Sequence, residues 1–231
     1  MVENAKSISE VTSLLQKSIT PLGRREEISL CSANGRICAE HIYSPLSLPT
    51  SNNAAVDGFA FHYEWSTSHP NHVYDIVAEI RAGHPYSGKL LPGQAVAIFT
   101  GAIVPEELNC IVMQENCILE EKKRVRIPFA PKKGLNIRMA GENLGKGEVI
   151  IKDGQRITAA DIGQLSAIGR SKIFCYSELS IGVLSTGDEV MDASNTKAFL
   201  RPGQLYDTNR PMLKAMITKD NHFCSDYGII I

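Results

Sequence analysis

Four short polar segments, each close to an apolar run, hold the residues whose types and spacing could do chemistry. Ser185-Thr186-Gly187-Asp188-Glu189 follows the largely apolar run 179–184. A strand there would deliver Thr186, Gly187 and the two acids to the carboxyl end of a sheet, where open α/β sheets place their ligands. Adjacent carboxylates at Asp188 and Glu189 can hold Mg²⁺ directly or through its waters, and they disfavour a bare phosphate. The same pair would serve equally well as acids at a helix N-terminus. In segment 48–60, Asp57 is a single acid among small and apolar residues, a setting that calls for a partner, an ion or solvent. A tight turn is the alternative, with Asp57 accepting backbone N–H groups and Gly58 in an unusual backbone angle. Segment 97–102 ends a strand on Thr100 and Gly101, where a hydroxyl and nearby N–H groups can hold an oxyanion or simply turn a hairpin corner. Segment 134–143 carries Arg138, able to fork a phosphate- or molybdate-like anion. The basic residues before it, Lys122, Lys123, Arg124, Arg126, Lys132 and Lys133, read as a solvated strand face.

The elements that must position these residues are legible in outline. Ser7 and Glu10 are spaced as a capping box, and Val11, Leu14, Leu15 and Ile19 recur at helical spacing up to Pro21. Short apolar runs at 28–30, 37–39 and 56–61, separated by Asn34-Gly35, Pro45 and Pro49, predict strands and loops. Runs 95–99 and 110–113 predict buried strands of a small β-barrel or twisted β-domain spanning 73–127. Thr158 and Asp161 form a second capping box before Ile162, Leu165 and Ile168, and Gly169 ends that helix. Beyond the strand at 179–184, a helix is predicted near 211–218, with Met212, Leu213, Met216 and Ile217 on one face and Pro211 in its first turn. A second strand is predicted at 227–231. Strand, helix, strand opens a parallel α/β sheet, and a sheet stopping there would leave an apolar edge and an uncovered face.

Composition narrows the class. The chain has 231 residues, 43% of them hydrophobic, and a formal net charge of −1. That leaves no global basic field for nucleic acid or an anionic membrane. Six cysteines, at 31, 38, 110, 117, 175 and 224, form no C-x-x-C pair and are expected to be reduced, mostly packed thiols. Met1-Val2-Glu3-Asn4 is no cationic leader, and no window approaches the ~20 apolar residues of a membrane span, so a cytoplasmic location is expected.

Taken together and in this order, these segments resemble the MoeA family, which includes the C-terminal domain of gephyrin. The resemblance runs from about residue 8 to 231 and is tightest at Val183-Leu184-Ser185-Thr186-Gly187-Asp188-Glu189-Val190 and Pro202-Gly203-Gln204-Leu205-Tyr206-Asp207-Thr208-Asn209-Arg210. It implies an α+β and α/β multidomain chain: an N-terminal helix and elongated β-rich domain (1–45 with 146–177), an inserted small β-barrel-like domain (46–145), and the start of a parallel α/β molybdopterin-binding domain (178–231). It implies an enzyme that inserts molybdate into adenylylated molybdopterin with Mg²⁺ and releases AMP. Glu189, Asp57 and Thr100 would be catalytic, Asp188 and Glu189 would hold the metal, and Arg138, Thr186, Gly187 and Asn143 would contact the pterin nucleotide. The resemblance further implies a homodimer whose sites pair Asp57 of one subunit with Glu189 of the other, and a possible encounter with the upstream molybdopterin adenylyltransferase. Asn52, Ala54 and Asn143 depart from the Asp, Ser and Asp usual in the family, and the family's Gly-Gly-x-Ser-x-Gly loop is absent from these 231 residues. A gephyrin-type scaffold and an inactive truncated remnant are the alternative readings.

Overall fold

The computed structural model describes residues 6–121, 123–194, 199–220 and 222–230. Lys122 of the basic run, the reading of Met1 to Asn4, and Ile231 at the end of the last predicted strand lie outside the described residues.

Among the described residues, four α-helices punctuate a chain of short strands: α1 (Ile8–Ser18), α2 (Tyr63–Ser68), α3 (Ala159–Ala167) and α4 (Asn209–Lys219). Both predicted capping boxes are present. Ser7 and Glu10 close on one another at the start of α1, and Thr158 and Asp161 do the same for α3, satisfying N–H groups that a helix start leaves orphaned. The sequence expectation missed α2, which begins on a histidine: His62 Nδ1 accepts from the Trp65 N–H at 3.4 Å. The apolar stripe of α1 forms as predicted but stays exposed, with Val11, Leu14, Leu15 and Ile19 all accessible. The same holds for Met212, Leu213 and Met216 of α4, where the buried residue is instead Arg210.

The chain divides into two compact units, 43–149 and 1–42 with 150–231. The unit 43–149 is built on a curled six-stranded sheet, in the order Cys110–Met113, Gly58–Phe61, Gln94–Ile98, Val73–Ile80, Arg124–Arg126, Ile118–Leu119. Its end strands do not pair with each other, so the expected barrel takes the form of a curled open sheet. Side chains alternate between two buried clusters, as the two-residue period of a strand requires. Ala60, Val96, Ile98 and Ile111 enter one cluster with Ile80 and Leu108, while Phe59, Phe61, Ala95 and Val112 enter the other with Tyr74 and Val125. The strand expected at 56–61 begins only at Gly58, which pairs with Ile98 on one side and Met113 on the other. The reason for glycine there differs from the expected backbone angle. A Cβ at residue 58 would lie 2.0 Å from the Val112 carbonyl oxygen, so the neighbouring strand forbids any side chain.

In the second unit, Arg25–Ser29 pairs antiparallel with Lys172–Tyr176. The predicted strand at 37–39 is reduced to single bridges, Ile37 with Arg156 and Cys38 with Cys175. Buried Ile42, Ile151, Ile157, Leu165 and Ile173 supply apolar core here. Farther along, Ser180–Thr186 and Phe223–Ile230 form the predicted parallel pair with α4 between them in sequence. The pairing shifts register between Val183 and Ser185, opposite the stretch from Asp226 to Ile229.

Gly58→Ala should cost roughly 3 kcal/mol of folding stability, the upper end of overpacking penalties, read as a lower urea midpoint at unchanged slope. A loss under about 0.5 kcal/mol would contradict the close approach.

Candidate functional site

Segment 52–57 is where three of the four chemical motifs come together. Its backbone is bonded on one side to the loop after Gln94–Ile98: Val104 N–H donates to the Asn52 carbonyl (2.8 Å), Gly101 N–H to the Ala54 carbonyl (2.8 Å), and Ala54 N–H to the Ala102 carbonyl (2.9 Å). On the other side Asn53–Ala54 pairs antiparallel with Ile137–Arg138, and Ala55 N–H reaches the Asn136 carbonyl at 2.9 Å. Asp57 ends this segment. Its Oδ1 accepts both the Thr100 backbone N–H (2.8 Å) and the Thr100 hydroxyl (2.7 Å). Those two donors hold the Asp57 carboxyl below its ordinary range, and the side chain is exposed. The structure therefore joins Asp57 and Thr100, and it spends the Thr100 hydroxyl and N–H on that carboxylate.

Arg138 and Asn143 are also joined. Arg138 Nε donates to Glu142 Oε1 at 2.6 Å and its Nη2 to Asn143 Oδ1 at 3.0 Å. Glu142 accepts the Met139 N–H as well, and the Arg138 bond, followed by that N–H, lowers its pKa. Two of the five guanidinium donors are thus committed, and the remainder face an exposed surface. Asn52 has a role that spacing could not reveal: its side-chain oxygen accepts the Ala140 N–H at 2.9 Å and ties segment 48–57 to the Arg138 loop. Part of the basic run before this loop is matched with acids: Arg124 with Asp75, Arg126 with Glu120 and Lys133 with Glu64.

In the other unit, Thr186 ends its strand and residues 187–190 turn, with Val190 N–H donating to the Gly187 carbonyl at 3.1 Å. Gly187 has φ +139, a backbone conformation that favours glycine, whereas the Glu189 carboxylate that a Cβ there would meet is the end of an exposed side chain that can move aside. Asp188 and Glu189 are exposed at its tip. They do not begin a helix. The short strand Val190–Met191 follows and pairs in parallel with Leu205–Tyr206, which removes the helix-cap reading. A small cavity of about 200 Å³ lies beside this turn, lined by Ser185, Thr186, Val190, Leu205, Asp207 and Asn209, among others.

Sequence reasoning missed the group that holds this turn. Arg210, buried at the start of α4, donates to Asp207 Oδ2 (2.8 Å), Asp226 Oδ1 (2.5 Å) and Asp192 Oδ2 (2.6 Å), and Asp207 also accepts the Ser185 hydroxyl at 2.7 Å. Asp226 is pulled down to about 2, chiefly by Arg210. Asp192 is pulled to the same value, chiefly by Ser194 and then by Arg210. The available signal was Arg210 itself, three residues after Asp207 at a helix start.

Among the described residues no group of three or more His, Cys, Asp or Glu is arranged to hold a metal ion. Asp188 and Glu189 nevertheless suit Mg²⁺, which commonly takes one or two carboxylates and completes its shell with water and substrate oxygens.

Comparison with known proteins decides the family. Residues 6–169 match the model described as "MoeA N-terminal region (domain I and II)". This chain belongs to the MoeA family. A molybdopterin molybdenumtransferase of Haemophilus influenzae is 35% identical over 205 residues, 89% of this chain and 50% of that protein. The Nostoc enzyme of the same name is 34% identical over 89% of this chain and 47% of its own length. A molybdopterin biosynthesis MoeA protein from Pyrococcus horikoshii OT3 superposes with a TM-score of 0.87 at 26% identity, covering 96% of this chain and 59% of that one. This MoeA-family chain thus spans about half the length of the curated relatives it matches.

Two predictions follow from the geometry. Thr100→Val removes one of two donors to Asp57, so the Asp57 carboxyl should titrate at higher pH by carbon-detected NMR; an unchanged midpoint would contradict the clamp. Asp192 and Asp226 titrate at about 2, against an ordinary 3.8, so their contribution to stability is complete above about pH 4 and is lost as pH falls towards 2. Arg210→Gln should raise both pKa values, lower the melting temperature at neutral pH and flatten its fall between about pH 4 and 2.

Proposed function

We propose that this chain forms part of an enzyme that inserts molybdate into adenylylated molybdopterin and releases AMP. The observation that carries the reading is Asp57: an exposed carboxylate kept ionised by two Thr100 donors, with Oδ2 unpartnered among the described residues. Fixing the acceptor on one oxygen leaves the other oriented towards solvent or substrate, which is the pre-organisation a catalytic carboxylate requires. Membership of the MoeA family, and the molybdopterin molybdenumtransferase names of its relatives, supply the substrate class.

The remaining residues take roles that their chemistry suits. Asp188 and Glu189 would hold Mg²⁺, which supplies charge neutralisation at the pyrophosphate between AMP and the pterin. Thr186 and the open backbone at Gly187 would contact the pterin nucleotide beside the cavity at this turn. Arg138, pinned by Glu142 and Asn143, would present its free donors to molybdate or phosphate oxygens. In this reading residues 178–231 act as a molybdopterin-binding domain distinct from 1–45 with 146–177, while 46–145 form the inserted domain. A homodimer would pair Asp57 of one subunit with Glu189 of the other. The reaction would run in the cytoplasm, downstream of the molybdopterin adenylyltransferase. No helix among the described residues is long and apolar enough to cross a membrane.

The test is AMP release from adenylylated molybdopterin in the presence of molybdate and Mg²⁺, alongside direct binding of that nucleotide. Asp57→Asn and Glu189→Gln should each lower the rate by roughly 10²-fold or more. Mixing the two inactive variants should restore part of it if sites are shared between subunits. Turnover indifferent to both substitutions, or a chain that neither binds nor turns over the nucleotide, would overturn the proposal.

A further inference from the structure

The unit 43–149 contains a histidine pair that takes no part in the interactions of Asp57, Thr100, Arg138 or Asn143. Residues 69–72, His-Pro-Asn-His, form a hydrogen-bonded turn at the end of α2, in which His72 N–H donates to the His69 carbonyl at 3.2 Å. Proline at its second position and Asn71 with φ +65 at its third are the requirements of a type II turn. That turn folds His72 back beside His69, with ring centroids 6.2 Å apart and planes at 65°. Both rings line a cavity of about 320 Å³ together with Tyr63, Ser66, Tyr74 and Phe129.

The hydrogen bonds of the two rings fix their tautomers. His69 Nδ1 lies 3.2 Å from the Trp65 carbonyl and His72 Nε2 lies 3.3 Å from the Gly93 carbonyl. A carbonyl oxygen can only accept, so each of these nitrogens carries the proton. The lone pairs are therefore left on His69 Nε2 and His72 Nδ1. An imidazole N–H donated to a backbone carbonyl, with the opposite nitrogen bare, is the outer-shell arrangement that orients metal-ligating histidines. Two imidazoles on one tetrahedral ion place their centroids about 5 Å apart, given metal–nitrogen bonds near 2 Å, so the 6.2 Å separation leaves about 1 Å for the rings to close onto an ion. Stacking of His69 on Trp65 at 3.8 Å and edge contact of His72 with Tyr74 at 4.9 Å hold the rings in place. A second, independent observation points to an occupant. The Tyr74 hydroxyl, on a residue only 2% exposed, has no hydrogen-bond partner of good geometry among the described residues. Such a buried group is costly unless something in the cavity, such as a water on a bound ion, satisfies it.

We propose that His69 and His72 form a site for a borderline divalent transition metal (Zn²⁺, Ni²⁺ or Co²⁺), with its other positions filled by water. Imidazole ligands select these ions over Mg²⁺. Its residues are different from Asp188 and Glu189, where Mg²⁺ is expected.

The test is titration of the reduced, tag-free chain with Co²⁺ at mildly alkaline pH in a large excess of Mg²⁺, which keeps Co²⁺ off the carboxylates at Asp188 and Glu189, followed by visible absorption and calorimetry. One ion should bind per chain, with d–d bands and no sulfur-to-cobalt charge transfer, which distinguishes imidazole from the six cysteines. His69→Ala and His72→Ala should each weaken binding by about tenfold or more and the double variant should abolish it. His84→Ala, on an exposed turn, should leave it unchanged. Long-range ¹⁵N spectra of the metal-free chain should show the Nδ1–H tautomer at His69 and Nε2–H at His72. Binding that survives the double variant, a thiolate spectrum, no saturable binding, or the opposite tautomers would each overturn the proposal.

Discussion

The unit 43–149 depends on one constraint, that a stretch of irregular chain at 48–57 must satisfy its backbone polar groups without belonging to a large sheet. Unpaired N–H and C=O groups away from water cost as much as lost hydrogen bonds. The chain meets the requirement by drawing in two other loops. Leu48 exchanges bonds with Asn143 and Leu144, the Pro49 carbonyl accepts from Gly141, and 52–55 bonds to 101–104 and 136–140. The loops carrying Thr100, Arg138 and Asn143 are therefore positioned as partners of the segment that carries Asp57. Their side chains converge as a consequence of backbone satisfaction, and the Asp57 clamp costs little extra ordering.

The other unit solves a comparable problem with charge. A buried guanidinium is tolerable only when its donors meet carboxylates in good geometry. Arg210 collects three, one from the loop after the acidic turn, one just ahead of α4 and one from Phe223–Ile230, and through Asp207 it also holds Ser185. The register shift opposite Ser185 brings Gly228, with φ +75, into the strand, where its N–H donates to Asp226 Oδ1. The irregularity in the sheet thus aims a carboxylate at Arg210. Asp188 and Glu189 take no part in this network. They remain exposed acids at the tip of a turn whose base is fixed, an arrangement suited to meeting a ligand rather than bearing structure.

What could be read from sequence was local. Capping boxes at Ser7 and Thr158 and the buried strand Cys110–Met113 depend on residues a few positions apart, and each was legible. The resemblance placed Asp57 and Thr100 among the catalytic residues, but the bond between them, across 43 residues, was not legible in the sequence. Periodicity marked the apolar faces of α1 and α4 but could not tell whether anything covers them, because spacing fixes a face and tertiary packing fixes its burial. Arg210 escaped for a similar reason. Its meaning lies in aspartates at 192, 207 and 226, which no window contains. Gly58 was noticed for the wrong cause, a backbone angle, when the deciding contact is a carbonyl on the next strand.

The departure at Asn143 acquires a physical sense from the Arg138 loop. An aspartate at 143, as is usual in the family, would give Arg138 two carboxylates and make the group net anionic. With asparagine the amide oxygen still accepts the Arg138 bond at 3.0 Å, so the geometry is kept, but Glu142 alone balances the charge. The loop is then neutral rather than acidic. For an oxyanion such as molybdate, that removes one repulsive charge from the approach to the guanidinium; for a divalent cation, it removes one attractive ligand. With one carboxylate rather than two beside the guanidinium, the Arg138 loop is electrostatically better suited to an oxyanion than to a cation.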